Sequence, residues 1–251
     1  MAQSGYGKIL LFDDFAGPEI PVEQNLAYAA AGAAAPRIGP FKVTGDLAET
    51  DTGIINVDGK VNGWVRISGN NEDGKGVAIG TGTVFSPSLN GPIAIETRVE
   101  MAALTTRSIF IGFTDANADD VAEPQTATGT TMSPVASDYC GFVFDSQISS
   151  PDAADWHAVF RGGDVTASTT STDLDLDEAA TAAESQVLRV EIDTNGTARW
   201  YIDGKLKSTQ TGAVSTTVVQ AAIVGCWGTT TTAANLDIDY IAVEANRDWT
   251  V

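Results

Sequence analysis

The chain has 251 residues, 43% of them hydrophobic, and a formal net charge of −19 from 14 Lys and Arg against 33 Asp and Glu. That length permits one large β-domain or two small ones, and that apolar content builds a core without help from a metal or a disulfide. The acidity excludes nucleic-acid and anionic-membrane binding, which need basic patches, and suits a protein that stays soluble in salt or docks on a basic partner.

Residues 1–8 have no signal-peptide pattern, and the apolar run Ile9, Leu10, Leu11, Phe12 stops at Asp13 and Asp14. It is too short for a secretory core segment. The Ala-rich stretch 28–35 is too short to span a bilayer, so synthesis in the cytosol and no membrane partner are expected. Residues 16–52 read as an irregular arm or excursion, broken by Pro18, Pro21, Pro36 and Pro40. Short apolar runs punctuated by Gly, Asn, Asp and Ser predict strands at 8–13, 40–44, 54–57, 63–68, 76–80, 92–101 and 108–114. More follow at 139–145, 156–161, 187–193, 198–202, 205–209, 218–227 and 236–244.

In 92–101, Ile93, Ile95, Thr97, Val99 and Met101 share one face, while Ala94, Glu96, Arg98 and Glu100 share the other. The run 108–113 is apolar on both faces, as a central strand requires. Two long excursions, 115–137 and 162–185, have the length of functional or flexible loops. The second contains the one helical candidate, the Ala-rich stretch 177–184. Asn195-Gly196 and Asp203-Gly204, each between alternating runs, predict two hairpins. The expectation is an all-β chain, a two-sheet antiparallel β-sandwich forming a single domain over 1–251, with 246–251 as a C-terminal tail.

Four stretches resemble the concanavalin A-like lectin/glucanase superfamily, the laminin-G-like and laminarinase-like jelly rolls. Residues 8–17 resemble its first strand, with an Asp-Phe-x-Gly ending. Residues 93–113 resemble its central strand pair, and 187–209 its common hairpin pair closing on Tyr-Ile-Asp-Gly. Residues 236–244 resemble its last strand, with Asp-Tyr-Ile-x-Val. The resemblance implies two antiparallel sheets with the first and last strands close together.

Catalysis in the glucanase branch needs a Glu-x-Asp-x-Glu type run on one strand face, one carboxylate as nucleophile and one as acid. The nearest run here, Glu96-x-Arg98-x-Glu100, has an arginine at its centre, which keeps both carboxylates ionised. A solvated face with cross-strand charge pairs is the reading of that strand. Asp237 and Asp239 share a face with Ile241 and Val243, which argues against catalysis there. Calcium has two weak candidate runs, Asp115, Asn117 and Asp119, and Asp173, Asp175 and Asp177. The first has Asp120 at the sixth position and Thr126 at the twelfth and is no EF-hand; the alternative for both is a solvated acidic loop.

His157, the single histidine, reads as a satisfied structural residue. Cys140 and Cys226 lie in apolar runs and read as buried free thiols, a disulfide requiring neighbouring strands. Trp64, Trp156, Trp200 and Trp227 lie in apolar strand patterns and are assigned to packing, whereas Trp249, in the tail, is a candidate for contact with a partner.

These features point to a non-enzymatic structural or interaction protein with no catalytic residues and no cofactor. The acidic, Lys-poor, Ala/Thr/Gly-rich composition resembles that of virion proteins of marine phages. The expected role is capsid decoration on a bacteriophage head, located on the virion, with the major capsid protein and further copies of the chain as partners. The alternative is a carbohydrate-binding lectin-like module for host or environmental glycans, and a glycoside hydrolase or polysaccharide lyase ranks below both.

Overall fold

Short alternating or continuously apolar runs build most strands of the computed structural model, which describes residues 7–17, 37–45, 53–57, 59–69, 71–118 and 122–248. Most of the 16–52 arm, Asp119 and Trp249 lie outside the described residues. In chain order the strands are β1 (Lys8–Asp13), β2 (Arg37–Ile38), β3 (Phe41–Gly45), β4 (Gly53–Asn56), β5 (Val65–Ser68), β6 (Gly76–Gly80), β7 (Ile93–Glu100), β8 (Arg107–Thr114) and β9 (Gln125–Thr128). There follow β10 (Thr131–Pro134), β11 (Tyr139–Asp145), β12 (Asp155–Arg161), β13 (Asp175–Ala179), β14 (Ser185–Ile192), β15 (Ala198–Ile202), β16 (Lys205–Gln210), β17 (Ala221–Gly228) and β18 (Asn235–Asn246). Two one-turn helices, α1 (Pro87–Asn90) and α2 (Ser171–Leu174), complete the list.

Two antiparallel sheets of eight strands form the sandwich. The first runs β16-β15-β14-β7-β18-β5-β4, with β1 added along β18; the second runs β13-β12-β11-β8-β17-β6-β3-β2. β18 is long enough to carry two neighbours along one edge. Its first half pairs with β5 and its second half with β1, Lys8 standing opposite Asn246. The first and last strands are therefore paired, as the resemblance implied, and β1 does not leave a long free edge.

The inward residues of the first sheet are Ile93, Ile95 and Val99 on β7, Leu188, Val190 and Ile192 on β14, and Trp200 and Ile202 on β15. All are buried. They meet Ile109, Ile111 and Phe113 of β8 and Phe142 and Phe144 of β11, and together these form one apolar cluster. Burying each such side chain contributes about 1.5–3 kcal/mol. Trp200 donates its indole N–H to the Gly141 carbonyl across the sandwich at 2.8 Å, and Trp156 donates to Gln186 of β14 at 2.9 Å. The large rings thus link the sheets without leaving a buried donor unpaired.

The structure corrects several expectations. The stretch 177–184 is no helix: its first residues complete β13, where Leu176 is buried between the outward Asp175 and Asp177. The excursion 115–137 contains the β9–β10 hairpin. Of the two turns, Asp203-Gly204 has both residues at positive φ, 50° and 74°, whereas at Asn195-Gly196 only Gly196 does, at 76°. The second loop is longer, closed by bonds from Gly196 N–H to Asp193 and from Asp193 N–H to Thr197. In β18 the register shifts between Ile238 and Tyr240. This bulge returns Ile241 and Val243 to the core while Asp237 stays on the outer face, so the four do not share a face. Cys140 and Cys226 are free and buried. They sit on β11 and β17, which flank β8 on opposite sides, Cys140 opposite Phe113 and Cys226 opposite Ile109; two strand spacings and four residues of register, about 16 Å, put them beyond disulfide reach.

Candidate functional site

The outer face of the first sheet carries a continuous row of side chains in register across six strands. Leu206 stands opposite Tyr201, Tyr201 opposite Arg189, Arg189 opposite Glu96, Glu96 opposite Ala242 and Ala242 opposite Phe12. Strand alternation places them together: Tyr201, Arg189, Glu96 and Ala242 each lie one residue away from an inward core residue. Phe12 packs against Tyr240 with ring centroids 6.1 Å apart. The row therefore has aromatic rings near both ends and charged groups at its centre, and Tyr201, Tyr240 and Phe12 are half-buried rather than enclosed.

Those central charges neutralise one another. Arg189 bridges Glu96 at 3.3 Å, Glu191 at 2.7 Å and Glu244 at 3.3 Å. The Tyr240 hydroxyl donates to Glu96 at 2.7 Å and the Tyr201 hydroxyl to Glu191 at 3.2 Å. Burial and these neighbouring carboxylates raise both phenols above their ordinary titration range. Glu100 meets Lys60 at 2.7 Å, and Asp237 is held by both Lys60 and Arg66. The strand Glu96-x-Arg98-x-Glu100 is thus a lattice of cross-strand pairs. Arg98 does not serve the two glutamates as the sequence reading had it; it pairs with Asp239 and Ser185. Trp64 is buried but stands outside the core cluster, on this outer side, between Lys60 Nζ at 4.3 Å and Arg98 at 5.3 Å from its ring.

The outer face of the second sheet is covered by the chain itself. The β9–β10 segment lies across it: the Ala127 N–H donates to Asp145, the Tyr139 hydroxyl to Gln125 and the Ser108 hydroxyl to Glu123. Ala127 and Met132 are buried against it. On the same face of the sheet Trp227 and Phe110 lie flat because Gly76, Gly225 and Gly141 supply no side chain; a Cβ at any of these would run into one of the two rings. Two carboxylates missed by the sequence reading are enclosed here. Burial raises Glu123 well above the ordinary carboxylate range and raises Asp145 to about 6, each charge adding to the other's cost. Neither belongs to a recognisable motif; the only sequence signal was an acidic residue inside or next to an apolar run.

The calcium candidates are placed apart and otherwise engaged. Asp115 accepts the Ser137 N–H at 3.2 Å, and Asn117 donates to the Thr81 carbonyl. Asp173 accepts the hydroxyls of Ser168 and Thr170, and Asp175 the N–H of Asp177. Among the described residues no group of three His, Cys, Asp or Glu side chains gathers around a common point. His157 is buried, but both ring nitrogens lack a hydrogen-bond partner, so it is not the satisfied histidine the sequence suggested. Burial lowers its pKa and keeps the ring neutral. No described helix is long and apolar enough to cross a membrane.

No protein-family model and no curated protein sequence matches the chain. In structure it is similar to SO2946, a protein of unknown function from Shewanella oneidensis MR-1, with 11% identity and a TM-score of 0.55 over 97% of this chain and 89% of that one. It is also similar to the carbohydrate recognition domain of Emp46p, with 8% identity and a TM-score of 0.51 over 87% of this chain and 93% of that one. For the same domain of Emp47p the identity is 9% and the TM-score 0.50, over 90% and 95%. Likeness at such identities is a likeness of fold, and the fold is a two-sheet antiparallel β-sandwich.

Proposed function

We propose that the chain is a non-catalytic, lectin-like glycan-binding module whose contact surface is the outer face of the first sheet. The observation that carries this reading is the registered row from Leu206 and Tyr201 through Arg189 and Glu96 to Phe12, with Tyr240 beside it. A sugar chain presents apolar C–H faces to aromatic rings and hydroxyls to charged groups, and this row offers both, rings towards its ends and charges at its centre. The opposite sheet offers no comparable surface, since β9 and β10 lie over it. The fold shared with two carbohydrate recognition domains supports the same reading.

Hydrolysis is not assigned to this surface. A glycosidase needs one carboxyl held protonated as an acid opposite a free carboxylate. Here Glu96 and Glu100 are each engaged by a cation. Head decoration, with the major capsid protein and further copies of the chain as partners on a phage particle, has no feature of the geometry or the comparisons in its favour; co-sedimentation with megadalton particles through a salt wash would restore it.

The test is calorimetric titration of the full chain with a panel of oligosaccharides, repeated on the Tyr201→Ala/Tyr240→Ala double variant. Loss of about tenfold in affinity for a bound oligosaccharide is expected, the worth of one stacking contact or more. A panel with no binder, or binding indifferent to both tyrosines, overturns the assignment of this face.

A further inference from the structure

At the side of the sandwich where β13 and β16 form the two sheet edges, the inter-sheet space is open. A cleft of about 240 Å³ lies there. Its floor is apolar: Phe160, Leu174 and Leu176 all point inward and are almost fully buried. Phe160 is backed by Trp200, with ring centroids 6.1 Å apart, so the floor is rigid. Beside the cleft the edges are tied by an ion pair between Lys207 of β16 and Glu178 of β13.

The opposite wall is polar. Ser208 stands opposite Trp200 and Gln210 opposite Ala198, so both occupy inward positions of β16. On the facing strand β15 the inward positions are Ala198, Trp200 and Ile202, all buried and apolar. A polar side chain aimed into an apolar space needs a partner of its own. Gln210, half-buried, gives its amide N–H to the Thr211 carbonyl on the solvent side. Asp173 stands at the rim, where one carboxylate oxygen takes two hydroxyls, from Ser168 at 2.7 Å and Thr170 at 2.8 Å. Those hydroxyls hold the group below the usual carboxylate range, and its other oxygen is left as an acceptor.

We infer that this edge cleft is a second, pocket-type site that takes a single neutral sugar ring. The inference rests on the glycan-binding reading and adds a mode to it: the face binds along a chain, the cleft binds one ring or a chain end. An apolar floor meets the C–H face of a pyranose, and a carboxylate, a hydroxyl and an amide around it meet the ring hydroxyls. The volume lies below the range of about 300–1,000 Å³ for drug-sized ligands, which fits one ring and excludes a longer segment.

The experiment is saturation-transfer NMR and calorimetry of the full chain with a set of monosaccharides, with an aliphatic diamine as the charged competitor. Three proteins are compared: wild type, Asp173→Asn and Ser208→Leu. Asp173 is at the surface, so its amide leaves the fold intact. Ser208→Leu fills the cleft with an inward apolar group and is expected to hold or raise Tm, which separates loss of the site from loss of the fold. The expected result is transfer to ring protons of at least one monosaccharide, weakened about tenfold by Asp173→Asn, the worth of one hydrogen bond to a charged group, and abolished by Ser208→Leu. Monosaccharide or oligosaccharide binding that survives both substitutions overturns the cleft and leaves the module reading standing. Diamine binding without sugar binding also overturns it, and the absence of any sugar binding on wild type removes both readings together.

Discussion

Glu123 and Asp145 are the residues whose environment departs furthest from what a carboxylate prefers. Both are buried under β9, with Ser108 donating to Glu123 and the Ala127 N–H to Asp145. Burial raises Glu123, Asp145 and also Asp138, the last two to about 6. In the unfolded chain carboxylates titrate near ~4. The folded state therefore holds these protons more tightly, so their contribution to stability is complete below about pH 4 and is lost as pH rises through about 6 and beyond. Urea midpoints should fall between pH 4.5 and 7.5. Glu123→Gln, which keeps an acceptor for Ser108 and removes one charge of the pair, should raise the midpoint at pH 7.5 and leave it unchanged at pH 4.5. A parallel shift at both pH values would mean that the pair is not the source.

Among elements, the β9–β10 hairpin and the strands it covers show how small residues and large rings act together. Gly225 and Gly76 on neighbouring strands leave room for the Trp227 ring to lie against the sheet, while the hairpin lies over β11 beside it. Gly225→Ala should cost about 1–3 kcal/mol, because the added methyl meets a buried, immobile ring rather than a flexible side chain. Denaturant unfolding checks this, and a cost below about 0.5 kcal/mol would show that the ring can move. The hairpin was hidden in the sequence because its strands are four residues long, rich in Thr, Gln and Ser, and carry only Ala127 and Met132 as buried apolar residues. For β13 the period-2 signal was present, Leu174 and Leu176 between aspartates, but the alanines after it suggested a helix. Within this edge strand only Leu176 is buried, which is less than a sequence window resolves.

For the molecule as a whole, 33 acidic against 14 basic residues leave an excess of 19 negative charges. The ion-pair lattice on the first sheet is favoured by low salt, while the general repulsion is relieved by added salt. The excess is larger than the number of pairs, so Tm should rise as NaCl increases from about 10 mM to about 150 mM, where the screening length falls from about 30 Å to about 8 Å. A fall in Tm over that range would show that the lattice outweighs the repulsion.

The longer, strongly alternating strands were legible in the residues alone, and so were the hairpin pair over 187–209, the pairing of first and last strands that the family resemblance implied, and the burial of both cysteines. Each of these depends on a local period or turn chemistry that neighbours along the chain state directly. The two faces were not legible. Which side of a sheet is covered depends on where a remote segment lands, as β9 lands on Asp145 and Tyr139. The row from Leu206 to Phe12 joins residues almost two hundred positions apart through five strand registers, and the cleft joins β12, β13 and β16. Sequence determined the sandwich because burial of alternating apolar residues has few solutions. Only the tertiary structure decided which carboxylates are paired, which are enclosed and which polar groups point into open space, because those outcomes depend on cross-strand neighbours that no local pattern names.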